Sequence, residues 1–370
     1  MALTVVQLLP ALDVGGVERG TLEVAKELVR RGHRAVVVSA GGQLVGDLRA
    51  LGAEHVQWSI GRKSLLSLRY VRPLRRLLAS MDADIVHARS RLPAWLGFLA
   101  WRGMNPARRP RFVTTVHGPY SVNRYSTIMV RGERIIAISE WIRQYVLDSY
   151  PWMDRERITV IPRGVDPGDF VYGYQPEAAW RKAFFEAFPN AAGSRLLTLP
   201  ARLSRRKGQT DFLKLIAALL AAGVPVHGLI VGGAGARRRG FADELIKLSR
   251  TLGIEQHLSF TGSRRDVREI MAVSDIVLNL SLEPEGFGRT TVEALSLGRP
   301  VIGYRHSGIA EVLGRVYPQG LVDTGNVPQL TDRTMTFLEA PPAVPAHHPY
   351  TLEAMLDATL SLYQSLSERR

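Results

Sequence analysis

Two glutamates with seven residues between them, Glu285 and Glu293, lie in the segment SLEPEGFGRTTVEALSLGRPVI, Ser281 to Ile302. The segment reads as strand end, glycine loop, helix, Gly298 stop and strand. Glu285 falls in the loop and Glu293 inside the helix, which Thr290 or Thr291 opens. Gly286 and Gly288 let the backbone approach a ligand closely, and the amides at the helix start can cradle a phosphate. A carboxylate is a poor direct partner for phosphate, so the two acids are expected to meet hydroxyls. Hydroxyl recognition on either side of an anion-binding helix start suits a sugar on one side and a ribose on the other. A glutamate pair by itself is equally a solvated helix face. Its setting in PEGFG, with Gly298-Arg299-Pro300 behind it, favours the ligand reading.

A second constellation, LPARLSRRKGQTDFL from Leu199 to Leu213, places Arg202 and Lys207 across a short loop that ends at Gly208. Both can reach one diphosphate. Arginine offers a bidentate fork and lysine a mobile point charge, which suits a leaving group that gains negative charge as its bond breaks. Surface salt bridging is the competing reading. Gly15 and Gly16 stand between the first strand and the first long helix, without the G-x-G-x-x-G spacing of dinucleotide sites; they either turn the chain or offer amides to a phosphate. His117 ends the strand in RFVTTVHG and is either structural or a ligand contact. Two loops could take a second substrate: HARSR, with Arg89, Ser90 and Arg91, and PYSVNRY, with Tyr120 and Asn123. Asp82-Ala83-Asp84 has the look of a metal-binding pair, but it precedes a strand and reads as a turn.

Short apolar runs alternating with helical-period segments must position these residues, which is the pattern of parallel sheets covered on both faces. Strands are expected at Thr4 to Leu9, Ala35 to Ser39, Ile85 to Ala88, Phe112 to Val116, Ile135 to Ile138 and Thr159 to Ile161. After a Pro- and Gly-rich break at Pro162 to Glu177, more follow at Leu196 to Pro200, His227 to Val231, Leu258 to Phe260, Ile276 to Leu280 and Pro300 to Gly303. A chain of 370 residues exceeds what one core usually serves. The reading is α/β, with a doubly wound domain over 1–170, a second over 171–348, and a C-terminal helix over 349–370 packing back on the first. Such folds bind ligands at the C-terminal strand edges, so functional residues should follow strands, facing a shared cleft.

With 48 basic and 34 acidic residues the chain carries +14, which points to an anionic ligand, an anionic membrane or nucleic acid, or only to an arginine-rich genome. No helix-turn-helix or comparable motif backs a nucleic-acid partner, and none is expected. Leu65 to Ala79 sets Leu66, Tyr70, Val71, Leu74, Leu77 and Leu78 against Arg69, Arg72, Arg75 and Arg76. Packing on the sheet is one reading, and contact with anionic lipid, beside Trp95, Trp101, Arg102, Arg108, Arg109 and Arg111, is the other. The sequence holds no cysteine, no run of about 20 apolar residues and no leader pattern, so a cytoplasmic location is expected, with the inner membrane face as a possible partner surface.

GGVERG, TVHG, IPRGVD, ARLSRRKG, FTGSRRDV and PEGFGRTTVEAL, in that order, resemble the retaining glycosyltransferases of family four, of GT-B architecture, over nearly the whole chain. The resemblance implies transfer of a sugar from a nucleotide sugar with retention of configuration, no cofactor and no obligatory metal. It places Glu285 on donor-sugar hydroxyls and Glu293 on the ribose. It sets Arg202 and Lys207 on the diphosphate, helped by Gly15 and Gly16 and by the loop Gly286, Phe287, Gly288, Arg289, Thr290 and Thr291. His117 would lie against the sugar, and Arg264 near the base. Ala201 and Arg163 depart from the commoner family pattern. The expected acceptor is a glycan or lipid-linked saccharide of bacterial envelope polysaccharide or lipopolysaccharide, with UDP favoured as carrier on frequency alone. A GT-B sugar-nucleotide epimerase and a non-enzymatic basic nucleic-acid-binding protein are the alternatives.

Overall fold

The computed structural model describes residues 2–13, 15–233 and 239–368. It forms two compact units, Met1–Pro162 with Glu353–Arg370, and Arg163–Leu352. The first unit alternates β1 (Thr4–Leu8), α1 (Gly16–Arg30), β2 (Arg34–Ser39), α2 (Val45–Ala50), β3 (Glu54–Gln57), α3 (Val71–Ser80), β4 (Ile85–Ala88), α4 (Arg91–Arg102), β5 (Arg111–Val116), β6 (Arg134–Ala137), α5 (Glu140–Ser149) and β7 (Ile158–Val160). The second contains α6 (Ala178–Ala187), β8 (Arg195–Pro200), α7 (Gln209–Ala221), β9 (Val226–Val231), α8 (Arg239–Thr251), β10 (Leu258–Gly262), α9 (Val267–Val273), β11 (Ile276–Asn279), α10 (Arg289–Ser296), β12 (Val301–Tyr304), α11 (Ser307–Val316), β13 (Leu321–Val322) and α12 (Val327–Glu339). The last helix, α13 (Leu352–Ser367), falls almost wholly in the first unit.

Each unit is built on one parallel sheet. The orders are β3-β2-β1-β4-β5-β6-β7 and β10-β9-β8-β11-β12-β13. Helices cover both faces, so the central strands are continuous apolar runs rather than alternating ones: Val5, Val6 and Leu8 in β1 and Val36 to Val38 in β2 are fully buried. Both sheets reverse their winding beside the first strand, between β1 and β4 and between β8 and β11. The same device fixes that junction in each. Asp84, just before β4, accepts a hydrogen bond from the Thr4 amide at 2.8 Å, and Asp275, just before β11, accepts one from the Leu196 amide at 2.7 Å. These carboxylates satisfy the first amide of the neighbouring strand, and Asp84 thereby has a structural use within the Asp82-Ala83-Asp84 turn.

The division between units falls at Pro162, eight residues before the boundary expected at 170. The Val165 amide donates to the Tyr350 carbonyl at 3.0 Å, and the Leu352 amide returns to Val165 at 2.9 Å, so 163–170 belongs to the second unit. Within the first unit α13 is tied down by a 2.6 Å hydrogen bond between Tyr363 Oη and His87 Nδ1. The helix expected over Leu65 to Ala79 is two pieces: a 3-10 segment, Leu65–Tyr70, and then α3. Pro73 lies in the first turn of α3, where its missing amide costs no hydrogen bond. Leu74 and Leu78 are buried, while Leu65, Leu66 and Leu68 are 86%, 71% and 51% exposed. Among the described residues no helix is long and apolar enough to cross a membrane.

Candidate active site

At the reversal point of the second sheet, the loop after β8 and the loop after β11 lie side by side, as the winding of such a sheet requires. They are stitched together by the Leu282 amide donating to the Arg206 carbonyl at 2.7 Å. Gly208 makes the approach possible. Its φ of +71° lies in the left-handed region, and a Cβ there would meet the Leu280 carbonyl oxygen at 2.1 Å. The two loops line one concavity, with Arg202, Ser204, Arg206 and Lys207 on one side and Ser281, Glu283, Pro284 and Glu285 on the other.

Three of the residues singled out in the sequence, Arg202, Lys207 and Glu285, therefore share one site. Lys207 Nζ donates to Glu285 Oε1 and, at 3.2 Å, to Ser281 Oγ; the Ser281 hydroxyl also donates to Glu285. The Glu285 carboxylate is 19% exposed and the Lys207 side chain 30%, so their attraction is only partly screened. Arg202 is exposed and has no carboxylate within ion-pair distance among the described residues, which leaves its fork available to an anion. The flanking Arg206–Glu283 pair, 3.0 Å apart, is more than half exposed on both partners and contributes little by itself. The one signal Ser281 carries in the sequence is its place two residues beyond β11.

The helix start behind this loop is α10, capped by Gly288 at φ +84° and beginning at Arg289 rather than at Thr290 or Thr291. Thr290 is half-buried, whereas Thr291 is fully buried and its hydroxyl accepts from Asn279 Nδ2 at 3.1 Å. The Phe287 ring packs edge-on against Tyr350, centroids 5.3 Å apart, so that side chain builds the interior. Gly286 is half-buried within the same loop. Glu293 is 8% exposed, with Arg289 Nε 3.1 Å from its Oε1. Glu293 and Arg264 lie outside the concavity's lining. Arg264 forms a two-pronged pair with Asp266 at 2.8 and 2.6 Å, and Asp266 also accepts from the Trp180 indole. That carboxylate, through its hydrogen bonds, raises the Arg264 pKa above the ordinary guanidinium value.

In the first unit, His117 follows β5 directly and is half-buried. Gly15 is the extended N-cap of α1, and a Cβ on it would meet the Glu18 carboxylate, while Gly16 faces open space. Ser90 caps α4 without a side-chain hydrogen bond. Arg91, half-buried, lies over the rings of Tyr120 and Tyr125 at 5.0 and 5.3 Å and donates to Ser126 Oγ at 3.2 Å. Asn123 is occupied locally, accepting from the Ser126 amide at 2.9 Å. Arg89 departs from expectation most sharply. Its side chain is turned into the interior, 2% exposed, with Nε on Gln7 Oε1 at 2.8 Å, so it does not face an acceptor at the surface.

Two doubly wound parallel sheets, the second carrying cations and a carboxylate at its reversal point, define a GT-B protein. Residues 14–169 match the model described as Glycosyltransferase Family 4, and residues 181–348 match that of Glycosyl transferases group 1. The chain belongs to glycosyltransferase family four. Its structure is similar to a glycosyltransferase of Rickettsia africae ESF-5, with a TM-score of 0.87 at 27% identity over 99% of this chain and 98% of that one. It shares the fold of Anabaena HepE, solved in complex with UDP-glucose, with a TM-score of 0.77 at 21% identity over 99% and 97%. One component of the human phosphatidylinositol N-acetylglucosaminyltransferase is 25% identical over 331 residues, which are 84% of this chain and 62% of that protein. The N-acetyl-alpha-D-glucosaminyl L-malate synthase of Bacillus anthracis is 35% identical over 95 residues, 26% of this chain and 25% of that one. The matches thus span 62% and 25% of the lengths of these two relatives.

Proposed function

We propose that the chain transfers a sugar from a UDP-sugar donor, with retention of configuration, to a glycan or lipid-linked acceptor of the bacterial cell envelope. The observation that carries the reading is the contact of Lys207, Glu285 and Ser281 beside the free fork of Arg202, at the reversal point of the second sheet. Lys207 and Arg202 supply positive charge for a departing diphosphate, the task a divalent cation performs elsewhere, and no metal is invoked. Glu285 accepts from sugar hydroxyls and Glu293 from the ribose. The α10 backbone start at Gly288 to Thr291 faces the phosphates. Gly15, Gly16 and His117 of the first unit are assigned to the donor, and Arg91 and Tyr120 to the acceptor. HepE, with UDP-glucose, and the N-acetylglucosaminyl relatives support a nucleotide-sugar donor by similarity.

Thermal unfolding with UDP, GDP, ADP and their sugars tests the donor. A ligand at a hundredfold its Kd stabilises by about 2.7 kcal/mol, and UDP with its sugars is expected to raise the midpoint while GDP and ADP do not. Indifference to every nucleotide would remove the reading.

A cytoplasmic enzyme on lipid-linked acceptors gains from resting on the membrane, and we assign that contact to the exposed Leu65, Leu66 and Leu68 among the exposed Arg62, Lys63, Arg69 and Arg72. Trp101 takes no part in it, since it is buried with its indole N–H on the Pro110 carbonyl and Arg109 stacked over its ring. The protein is expected to sediment with anionic liposomes at low salt, and the double variant Leu65→Gln/Leu66→Gln to remain in the supernatant. Equal sedimentation of the variant would assign the contact elsewhere.

A further inference from the structure

The start of α11, Ser307-Gly308, with its N-cap His306, grips the loop that carries Glu285 at three points. Ser307 accepts from the Glu285 amide through its hydroxyl at 3.0 Å. The Gly308 amide donates to the Glu285 carbonyl, also at 3.0 Å. His306 Nε2 is hydrogen-bonded to the carbonyl of Ser281, whose own hydroxyl holds the Glu285 carboxylate. Ser307 is 7% exposed and has a φ of +55°, one of two non-glycine residues with positive φ among the described residues. L side chains are strained there, and such strain persists where the surroundings fix the conformation. The neighbouring Gly308 has no room for a side chain, since a Cβ would stand 2.5 Å from Phe287 Cα and 2.6 Å from its nitrogen.

We infer that Ser307 is a positioning residue for the transfer reaction. Its left-handed turn aims its own hydroxyl at the Glu285 amide and the following amide at the Glu285 carbonyl, so the backbone of that glutamate is fixed at both ends. The loop from Leu282 to Gly288 has no helix or strand hydrogen bonding of its own to do this. The cost in backbone strain is borne at Ser307, and its return is a carboxylate held beside Ser281 and Lys207 before substrate arrives. The inference rests on the proposed role of Glu285 in recognising the donor sugar.

Ser307→Gly separates positioning from simple structural support, because it relieves the strain while deleting the hydroxyl. The expected result is an unfolding midpoint at or above that of the native protein and UDP affinity within about twofold. Hydrolysis of UDP-glucose and UDP-N-acetylglucosamine, in which water takes the sugar in place of the acceptor and UDP departs, should fall by about 10²-fold, the order that a displaced catalytic group costs. Ser307→Ala retains the strain and should lose the same activity with a lowered midpoint. Native rates in Ser307→Gly, with Glu285→Ala inactive, overturn the inference and leave the site reading standing. Native rates in Glu285→Ala overturn both.

Discussion

Glu285→Gln is expected to lower turnover by about 10²- to 10³-fold, the range found when one preorganised polar group is removed from a reacting centre, while UDP binds as tightly as before or more tightly. The two effects part because of Lys207. In the free protein its ammonium is held by the Glu285 carboxylate and the Ser281 hydroxyl. Glutamine removes the competing negative charge, so Lys207 meets the diphosphate with less to give up. The sugar loses a charged acceptor for its hydroxyls, so the binding energy that should act at the transition state is lost. Glu293→Ala is expected to show the opposite split, with weaker donor binding and a smaller change in turnover, since it is assigned to the ribose and not to the reacting sugar. Steady-state rates with titration of UDP measure both quantities. Native turnover in Glu285→Gln, or identical profiles for the two variants, would reject the assignment.

How much of this was legible in the sequence depends on how local each signal is. The central strands of both sheets were readable because burial on both faces makes them unbroken apolar runs, and this fixed where the loops that follow them begin. One edge strand of each sheet, β3 and β13, was missed, while the opposite edges, β7 and β10, were expected. Glu54–Gln57 is a polar run half open to solvent, and Leu321–Val322 is two residues long, so neither carries a periodicity. The repeat of the aspartate device was visible, as ADIV at Ala83 to Val86 and SDIV at Ser274 to Val277, and marks the reversal point in each unit. The unit boundary was less legible, because the segment 163–170 is tied through Val165 to Tyr350 and Thr351, far along the chain. Ser307 carried no signal at all: its importance lies in a backbone angle and in a bond to a loop 22 residues earlier. Leu66 looked like a core residue by spacing, but the chain there is 3-10, and a change of helical period redistributes which side chains share a face.

Arg89 shows where the rule that ligands follow strands fails, and it yields the largest expected loss of stability. It stands directly after β4, as an acceptor residue would, yet its side chain folds back across the reversal point of the first sheet to Gln7 in β1. Burial pushes its pKa below the ordinary guanidinium value, opposed by the nearby Tyr363 of α13 and Glu23 of α1. The cation therefore serves two strands and two helices at once. Arg89→Leu keeps much of the volume but leaves the buried Gln7 Oε1 without its donor, while Glu23 keeps Arg19 at 3.7 Å; leaving a buried acceptor unsatisfied costs roughly 1–3 kcal/mol. By the scaling for domains of this size, the unfolding midpoint should fall by roughly 2–12 °C. Rates measured well below that midpoint should stay native, because the side chain touches no substrate. Arg91→Ala, which gives up only partly exposed stacking on two tyrosines, should leave the midpoint within a few degrees and raise the acceptor KM instead. A native midpoint with a raised acceptor KM in Arg89→Leu would move that arginine from the interior scaffold to the acceptor site.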